Sequence, residues 1–436
     1  MKNALLYLGL LYSPLQSYAQ NTYFPPVGGT DWDTLSSKAL GWCPYKIDSL
    51  YSFLEAQHSK AFILVKDGKI VLEKYFNTAT ATDALPWASA GKTLTALMVG
   101  IAQQEGSLSI TSPSSTYLGS GWTSCTSTQE GKITIWHQLT MTTGLDDAVP
   151  DHYCTLDTCL QYKADAGQRW AYHNGPYTLL DQVIEAATGQ KLNSYMNLKI
   201  KKITGMTGSF IPVGYNNVYF STPRSMARFG LLILNKGFWD GTPVLGDSVY
   251  FNQMIHTSQE LNKAYGYLWW LNGKQSYRLP QLPIELNGSI CPHAPPDMIA
   301  AMGKNGQFLN IVPSQNLLWI RMGDAPNGDD VPFSLNDQIW KYVGALDCDV
   351  VGIQERIPTN QKLDMEVYAT PNFMIVSSSS KIQHVSVYTL QGQVVGTVGG
   401  SGSEMIIPLS NSKLGTYIVQ AQFVDGSSVI KRVFVE

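Results

Sequence analysis

Pro86-Trp87-Ala88-Ser89-Ala90-Gly91-Lys92-Thr93 runs into Leu94-Thr95-Ala96-Leu97-Met98-Val99-Gly100-Ile101-Ala102, and the reading of this stretch decides the fold. A loop ending at Pro86 and Trp87 gives way to an apolar helix that begins near Ser89. Ser89 and Lys92 therefore share one helical face, about one turn apart. A serine hydroxyl is a weak nucleophile until a neighbour takes its proton. An amine one turn away can take it, provided the amine is neutral. Free lysine has a pKa near ~10.4, and a fall of about three units corresponds to roughly 4 kcal/mol. Burial against Trp87, Leu94, Ala96 and Leu97 supplies a shift in that direction. The start of the helix also turns the Ser89 backbone N–H outward, as half of an oxyanion hole.

Ser-x-x-Lys recurs at Ser378–Lys381, Ser410–Lys413 and Ser428–Lys431, so the pattern alone is weak. Only Ser89 opens a long apolar helix. Gly91-Lys92-Thr93 also invites a phosphate-loop reading. That loop needs a glycine five residues before Gly91, and Pro86 stands there.

Outward from this stretch, alternating elements appear on both sides. Residues 47–58 have helical spacing. Ala61–Lys66, Asp67-Gly68 and Lys69–Phe76 read as a hairpin, because Asp-Gly between apolar runs is a strong turn signal. Downstream, 132–140 leads into Met141–Leu145, and 177–189 and 222–237 have helical spacing with a glycine stop. Tyr265–Trp270 and Leu317–Met322 read as strands, and 334–345 as a closing helix. Strands at both ends of this region are expected to share one antiparallel sheet flanked by helices, an α+β arrangement. Beyond Cys348 the pattern changes to short alternating strands with turns at Gln391-Gly392, Gly399–Gly402 and Asp425-Gly426, an all-β module of sandwich type. The expected boundaries are 1–19, 20–348, a linker at 349–365, and 366–436.

The chain has 436 residues, a formal net charge of −3 and 14% charged residues, a balance that offers no nucleic-acid surface. Met1-Lys2-Asn3, the apolar run Ala4–Tyr12 and small residues at Ser17 and Ala19 read as a signal peptide cleaved before Gln20. That run is shorter than the ~20 residues of a membrane span, and no other segment reads as one. The six cysteines fit an oxidising compartment. Cys154 and Cys159 could close a small local loop, and Cys43 and Cys348 could join the ends of the catalytic region. No zinc-type spacing is present, no metal or cofactor is expected, and the seven scattered histidines read as structural or surface groups.

Five segments recur in order: Trp87–Lys92, Leu139–Leu145, Tyr172-His173-Asn174, Ala227–Gly230 and Gly303-Lys304-Asn305-Gly306-Gln307. In this order they resemble the serine β-lactamase-related family, the group of class C β-lactamases, D-aminopeptidases, esterases and 6-aminohexanoate-dimer hydrolases. The resemblance covers roughly residues 47–345. It implies a β-lactamase/transpeptidase-like fold with an all-helical subdomain. Tyr-x-Asn occurs five times, starting at Tyr75, Tyr172, Tyr195, Tyr215 and Tyr250. The resemblance selects Tyr172, which an apolar helix follows. It implies that Tyr172 passes protons beside Ser89, ionising more easily near Lys92, and that Asn174 holds the acyl-side carbonyl of the substrate. The Gly303 segment is closest to the esterase and amide-oligomer hydrolase branch. There a backbone N–H of Lys304 or Asn305 would complete the oxyanion hole. Lys304 follows the glycine, unlike the lysine of the Lys-Thr-Gly element that grips a β-lactam carboxylate. Asn272–Pro296 and Tyr265, Tyr267, Trp269 and Trp270 are expected to shape the pocket.

Residues 366–436 resemble the C-terminal sorting domain of the type IX secretion system of Bacteroidetes, through Tyr368–Asn372, Val387–Gly392, Leu414–Val419 and Lys431–Glu436. The expectation is a secreted serine hydrolase. It would act on an ester or amide of a small-molecule or peptide-like substrate and meet secretion machinery through its C-terminal domain. The alternative is a catalytically silent protein on the same scaffold that binds peptidoglycan fragments or β-lactams.

Overall fold

The computed structural model describes residues 22–282, 284–326, 331–348, 364–370, 372–389, 393–409 and 415–435. The expected signal peptide, and residues 349–363 of the expected linker, lie outside them. The chain divides into two compact units between residues 350 and 351.

In the first unit, helix α1 (Pro44–Ala56) precedes strands β1 (Ser59–Lys66) and β2 (Lys69–Tyr75). Helices α2 (Lys92–Gln104), α3 (Leu180–Thr188) and α4 (Pro223–Leu234) follow. Strands β3 (Trp270–Leu271), β4 (Ile299–Gly303), β5 (Gln307–Val312) and β6 (Leu317–Gly323) come next, and helix α5 (Phe333–Val343) ends the unit. The six strands form one antiparallel sheet in the order β2-β1-β6-β5-β4-β3. Early and late strands thus share a sheet, with Ile63 opposite Ile320 and Leu64 opposite Trp319.

Local chemistry accounts for these elements. Asp67 and Gly68 both adopt positive φ, 54° and 81°, as a two-residue hairpin turn requires. Phe62, Ile63, Leu64 and Val65 are all fully buried. The run does not alternate because both faces of the sheet are covered, by α1 and α5 and by α4. At Gly230 of α4 a Cβ would lie 2.7 Å from Leu309 Cδ1, so the glycine lets the helix approach the sheet. Arg228 on the same helix donates to Thr204 O and Pro26 O, each at 2.8 Å. That motif therefore ties chain segments together. Cys43–Cys348 and Cys154–Cys159 are disulfides, and Cys125 and Cys291 are free thiols.

Helix α2 is buried from Lys92 through Ala102, walled in by α3 and the short helices around it. A three-stranded sheet, 85–86, 216–221 and 209–213, lies beside its start. Two expectations are corrected. Tyr265–Trp269 is not strand: Leu268 has φ 61° and the backbone doubles back, bridging Tyr265 to Trp270. The helix expected over 177–189 is two, Asn174–Thr178 and α3.

The second unit is a curled sheet of β7 (Glu366–Ala369), β8 (Phe373–Thr389), β9 (Val394–Pro408), β10 (Gly415–Phe423) and β11 (Ser428–Val435). Strand β8 pairs with β7 through its first half and with β10 through its second, while β9 follows it along both. The register shifts between Ser377 and Ile382. On both sides of this shift the curled sheet encloses one separate apolar core, with Met374, Val376 and Ile407 before it and Val385, Val419 and Phe423 after it. The end strands meet, Lys431 Nζ donating to Met365 O at 3.0 Å. The turn at Asp425-Gly426 is present, with Gly426 at φ 83°. Gly399–Gly402 instead continues β9, with Gly399 paired to His384 and Gly402 to Ile382 across a register shift. Gln391-Gly392 lies outside the described residues.

Candidate active site

Ser89 lies in a single 3-10 turn, Ala88–Gly91, that passes directly into α2 at Lys92. Ala88 is held at φ 48°, a left-handed conformation unusual for a residue with a side chain. Trp87 anchors the turn: its backbone N–H donates to Tyr219 O and its indole N–H to Ser221 Oγ, each at 2.8 Å. Lys92 Nζ donates to Ser89 Oγ at 2.9 Å.

The surroundings of Lys92 are dry. It is 4% exposed, and its nitrogen stands 4.2 Å from the ring centre of Tyr177 and 5.2 Å from that of Tyr172. Burial pushes the amine down to about 7, and the Asp181 carboxylate on α3 acts in the opposite direction. Asp181 is itself buried and accepts from Asn217 Nδ2 at 3.0 Å and Thr95 Oγ1 at 3.4 Å. Burial raises its carboxyl to about 7, against those hydrogen bonds.

Tyr172 arrives from the segment just before the Asn174–Thr178 helix. Its ring stacks on Trp270 at 5.9 Å and 15° and meets the edge of Tyr265 at 6.3 Å. Burial drives its phenol well above the ordinary range, and the neighbouring Ser89 side chain, which favours ionisation, offsets this only in part. The expectation of easier ionisation near Lys92 is thus overturned: desolvation penalises a phenolate more than its neighbours stabilise it.

Asn174 opens the helix that follows, is 3% exposed, and has no hydrogen-bond partner at Oδ1. Gly303 closes β4 directly against the serine turn. A Cβ there would lie 2.5 Å from Trp87 O, 2.9 Å from Ala90 N and 3.0 Å from Ser89 N. The residues after it form a tight turn in which Asn305 and Gly306 have φ of 64° and 75°. Lys304 lines the same cavity as Ser89. Asn305 does not: its carbonyl accepts from Arg321 Nη1 at 2.6 Å, inside the core.

That cavity, of about 270 Å³, is lined by Ser89, His152, Tyr153, Tyr172, Asn174 and Lys304, together with Leu279, Pro280, Gln281, Val331 and Phe333. A second hollow of about 450 Å³ shares Tyr172, Leu279 and Gln281 with it and continues over Trp170, Leu261 and Leu282. The expected contribution of Asn272–Pro296 therefore falls on Arg278–Leu282. Tyr265, Tyr267 and Trp269 are core residues that line neither hollow, and Trp270 acts from behind as the support of Tyr172.

His152 reaches the cavity on the longer loop that carries the Cys154–Cys159 disulfide, two residues before Cys154. That loop seats on the start of the next helix, where Gly175 N donates to His152 O at 2.9 Å and a Cβ on Gly175 would lie 2.4 Å from Cys154 O. His152, read from the sequence with the other histidines as a structural or surface group, is half-buried and lines the cavity. Tyr177, Asp181 and Arg321 carry no signal in the sequence beyond their places on apolar elements. Among the described residues, no group of three His, Cys, Asp or Glu side chains could hold a metal ion, and no helix is long and apolar enough to cross a membrane.

Residues 54–343 match the beta-lactamase family. The chain is 26% identical over 263 residues to an uncharacterized protein of Alkalihalophilus pseudofirmus, covering 54% of this chain and 71% of that one. Among solved structures, a Bacillus anthracis protein named provisionally as a 6-aminohexanoate-dimer hydrolase superposes with a TM-score of 0.56. The two are 18% identical, over 74% of this chain and 89% of that one. A penicillin-binding protein of Bacillus halodurans superposes with a TM-score of 0.51 and 15% identity, over 68% of this chain and 99% of that one. At these identities the two structures establish a shared fold.

Proposed function

Because this chain belongs to the beta-lactamase family, whose members are generally serine hydrolases acting through an acyl-enzyme, we propose that it hydrolyses an ester or amide bond through an acyl-Ser89 intermediate. The observation that carries the reading is the 2.9 Å contact between Lys92 Nζ and Ser89 Oγ in a setting that keeps the amine near neutrality.

In the first step the neutral Lys92 amine takes the proton of Ser89 Oγ as Oγ bonds to the substrate carbonyl carbon. The carbonyl oxygen becomes an oxyanion, received by the backbone N–H groups of Ser89 and Lys304. Asn174 orients the acyl side. Collapse of the tetrahedral species breaks the bond to the alkoxide or amine leaving group. The leaving group gains its proton from the Tyr172 hydroxyl, which is replenished from the Lys92 ammonium. Water then repeats the sequence on the acyl-enzyme and releases the acid. The neutral state of Tyr172 suits this role as a proton conduit, with Lys92 as the base. The position of Lys304 after Gly303 supports the ester and amide reading over a β-lactam one.

Mass spectrometry after treatment with a fluorophosphonate tests the reading. An adduct on Ser89, absent in Ser89→Ala, is expected. An unlabelled Ser89 under conditions that label a control serine hydrolase would overturn it and favour the silent binding protein. A panel of p-nitrophenyl esters, D-amino-acid amides and nitrocefin then defines the substrate. Export is part of the proposal: residues 1–19 act as a signal peptide and 366–436 as a sorting module. The two disulfides support an oxidising compartment.

A further inference from the structure

Arg321 is fully buried in β6, yet its partners are backbone carbonyls and one hydroxyl rather than a carboxylate. Nη1 donates to Asn305 O at 2.6 Å and Gly306 O at 3.0 Å. Nη2 donates to Gln57 O at 2.6 Å and Asp324 O at 2.8 Å, and Nε donates to Ser59 Oγ at 3.0 Å. The guanidinium fork is thus satisfied from three directions: the end of α1, the chain leaving β6, and the turn after β4. Two glycines make room for it. A Cβ on Gly306 would lie 2.6 Å from Nη1, and one on Gly323 would lie 2.8 Å from Nη2.

A buried cation needs a strong local reason, because desolvating it is costly. The turn it grips is the one that follows Gly303, where an added Cβ would lie 3.0 Å from Ser89 N. This turn holds two successive left-handed residues, Asn305 and Gly306, and both of their carbonyls point at Nη1. A left-handed pair has few backbone hydrogen bonds of its own to keep it in place, and Arg321 supplies two. A planar, rigid five-donor group can clamp peptide planes in a way a lysine cannot.

We propose that Arg321 is a positioning residue for the oxyanion site. It locks the Lys304–Gly306 turn so that the Lys304 backbone stays beside Ser89. The inference rests on the acyl-Ser89 reading above. Its consequence is specific: losing Arg321 weakens the hold on the tetrahedral anion more than the hold on the substrate.

The test compares full-length wild type with Arg321→Lys, both normalised to active sites titrated by fluorophosphonate. Hydrolysis of p-nitrophenyl butyrate and inhibition by an arylboronic acid, which forms a tetrahedral anion on the serine, are measured. One misplaced oxyanion donor is worth about 10²–10³ in rate. The partial misplacement here is expected to lower kcat per site by roughly tenfold or more and to weaken boronate inhibition by a similar factor, with KM within about twofold. If kcat per site and boronate affinity stay within about twofold of wild type, and only the thermal midpoint falls, the proposal is overturned and Arg321 is purely structural. Should Arg321→Lys fail to fold, Ser59→Ala loosens the guanidinium from its far side, away from the turn. About a threefold loss of kcat per site is expected there, and an unchanged kcat overturns the proposal. A wild type that never labels at Ser89 rejects the acyl-enzyme reading itself, an outcome distinct from both.

Discussion

At the residue scale the chemistry turns on one proton. The burial of Lys92 lowers its pKa to about 7, and the buried Asp181 carboxylate partly restores it. Acylation needs the neutral amine, so kcat/KM for an ester is expected to rise with pH through about 7. In Asp181→Asn that limb should move to lower pH, because a charge that stabilises the ammonium is gone; a pH–rate profile reads this directly. Tyr172→Phe is expected to lower kcat by about 10²-fold while leaving the limb in place, since the phenol stays protonated. A limb that vanished in Tyr172→Phe would make the phenol the base. Lys92→Ala should cost about 10²–10⁴ in kcat/KM with Ser89 intact. Ser89 and Lys92 were legible because their relation is local: three residues on a helix have little choice of geometry. Asp181 was not, because its meaning comes from facing Lys92 across two packed helices.

At the scale of elements, the close approach of β4 to the serine turn is the feature most sensitive to change. Gly303 has φ −135°, so alanine meets no backbone strain there; the obstacle is the Trp87, Ser89 and Ala90 backbone, which cannot rotate away. Gly303→Ala is expected to slow fluorophosphonate labelling of Ser89 by about 10²-fold or more, the scale of a displaced oxyanion donor. Labelling at the wild-type rate would show that the two backbones separate easily. The Ile135–Leu139 helix offers a different test. His137 completes a capping box with Thr134, and burial lowers its imidazole to about 4. The unfolded chain binds that proton from about pH 6.5 downward, so folding stability falls between pH 6.5 and 4. His137→Gln keeps a capping side chain without the charge. Its thermal midpoint should decline less across that window than the wild type's. The hairpin turn and the helices read well from sequence, where turn chemistry and periodicity are local. Tyr265–Trp269 misled because an apolar aromatic run looks like a strand, whereas its backbone is set by packing around Leu268.

At the scale of the whole chain, the first unit is joined end to end. Cys43 and Cys348, separated by 305 positions, are linked, and Cys43 N donates to Leu346 O at 2.9 Å and Cys348 N to Gly41 O at 2.8 Å. Removing the link as Cys43→Ser with Cys348→Ser is expected to lower unfolding free energy in urea by about 2–5 kcal/mol, since the bond restrains a long loop of the unfolded chain. An unchanged midpoint would mean that the flanking hydrogen bonds suffice. The second unit keeps its own apolar core, in line with the change of pattern after Cys348. By itself the amino-acid sequence determined the α+β class, the sheet shared between early and late strands, and the serine–lysine pair; the order of its motifs pointed to Tyr172, Asn174 and Gly303. The class, the shared sheet and the serine–lysine pair follow from periodicity, turn chemistry and spacing, which act over a few residues; Tyr172, Asn174 and Gly303 came only through the family resemblance. Only the tertiary structure decided that Tyr172 stays a phenol, that Trp270 supports it, that His152 enters the cavity just before the Cys154–Cys159 disulfide, and that Arg321 grips the turn beyond Gly303. Each of these depends on desolvation or on contacts between distant segments, and a one-dimensional pattern carries neither.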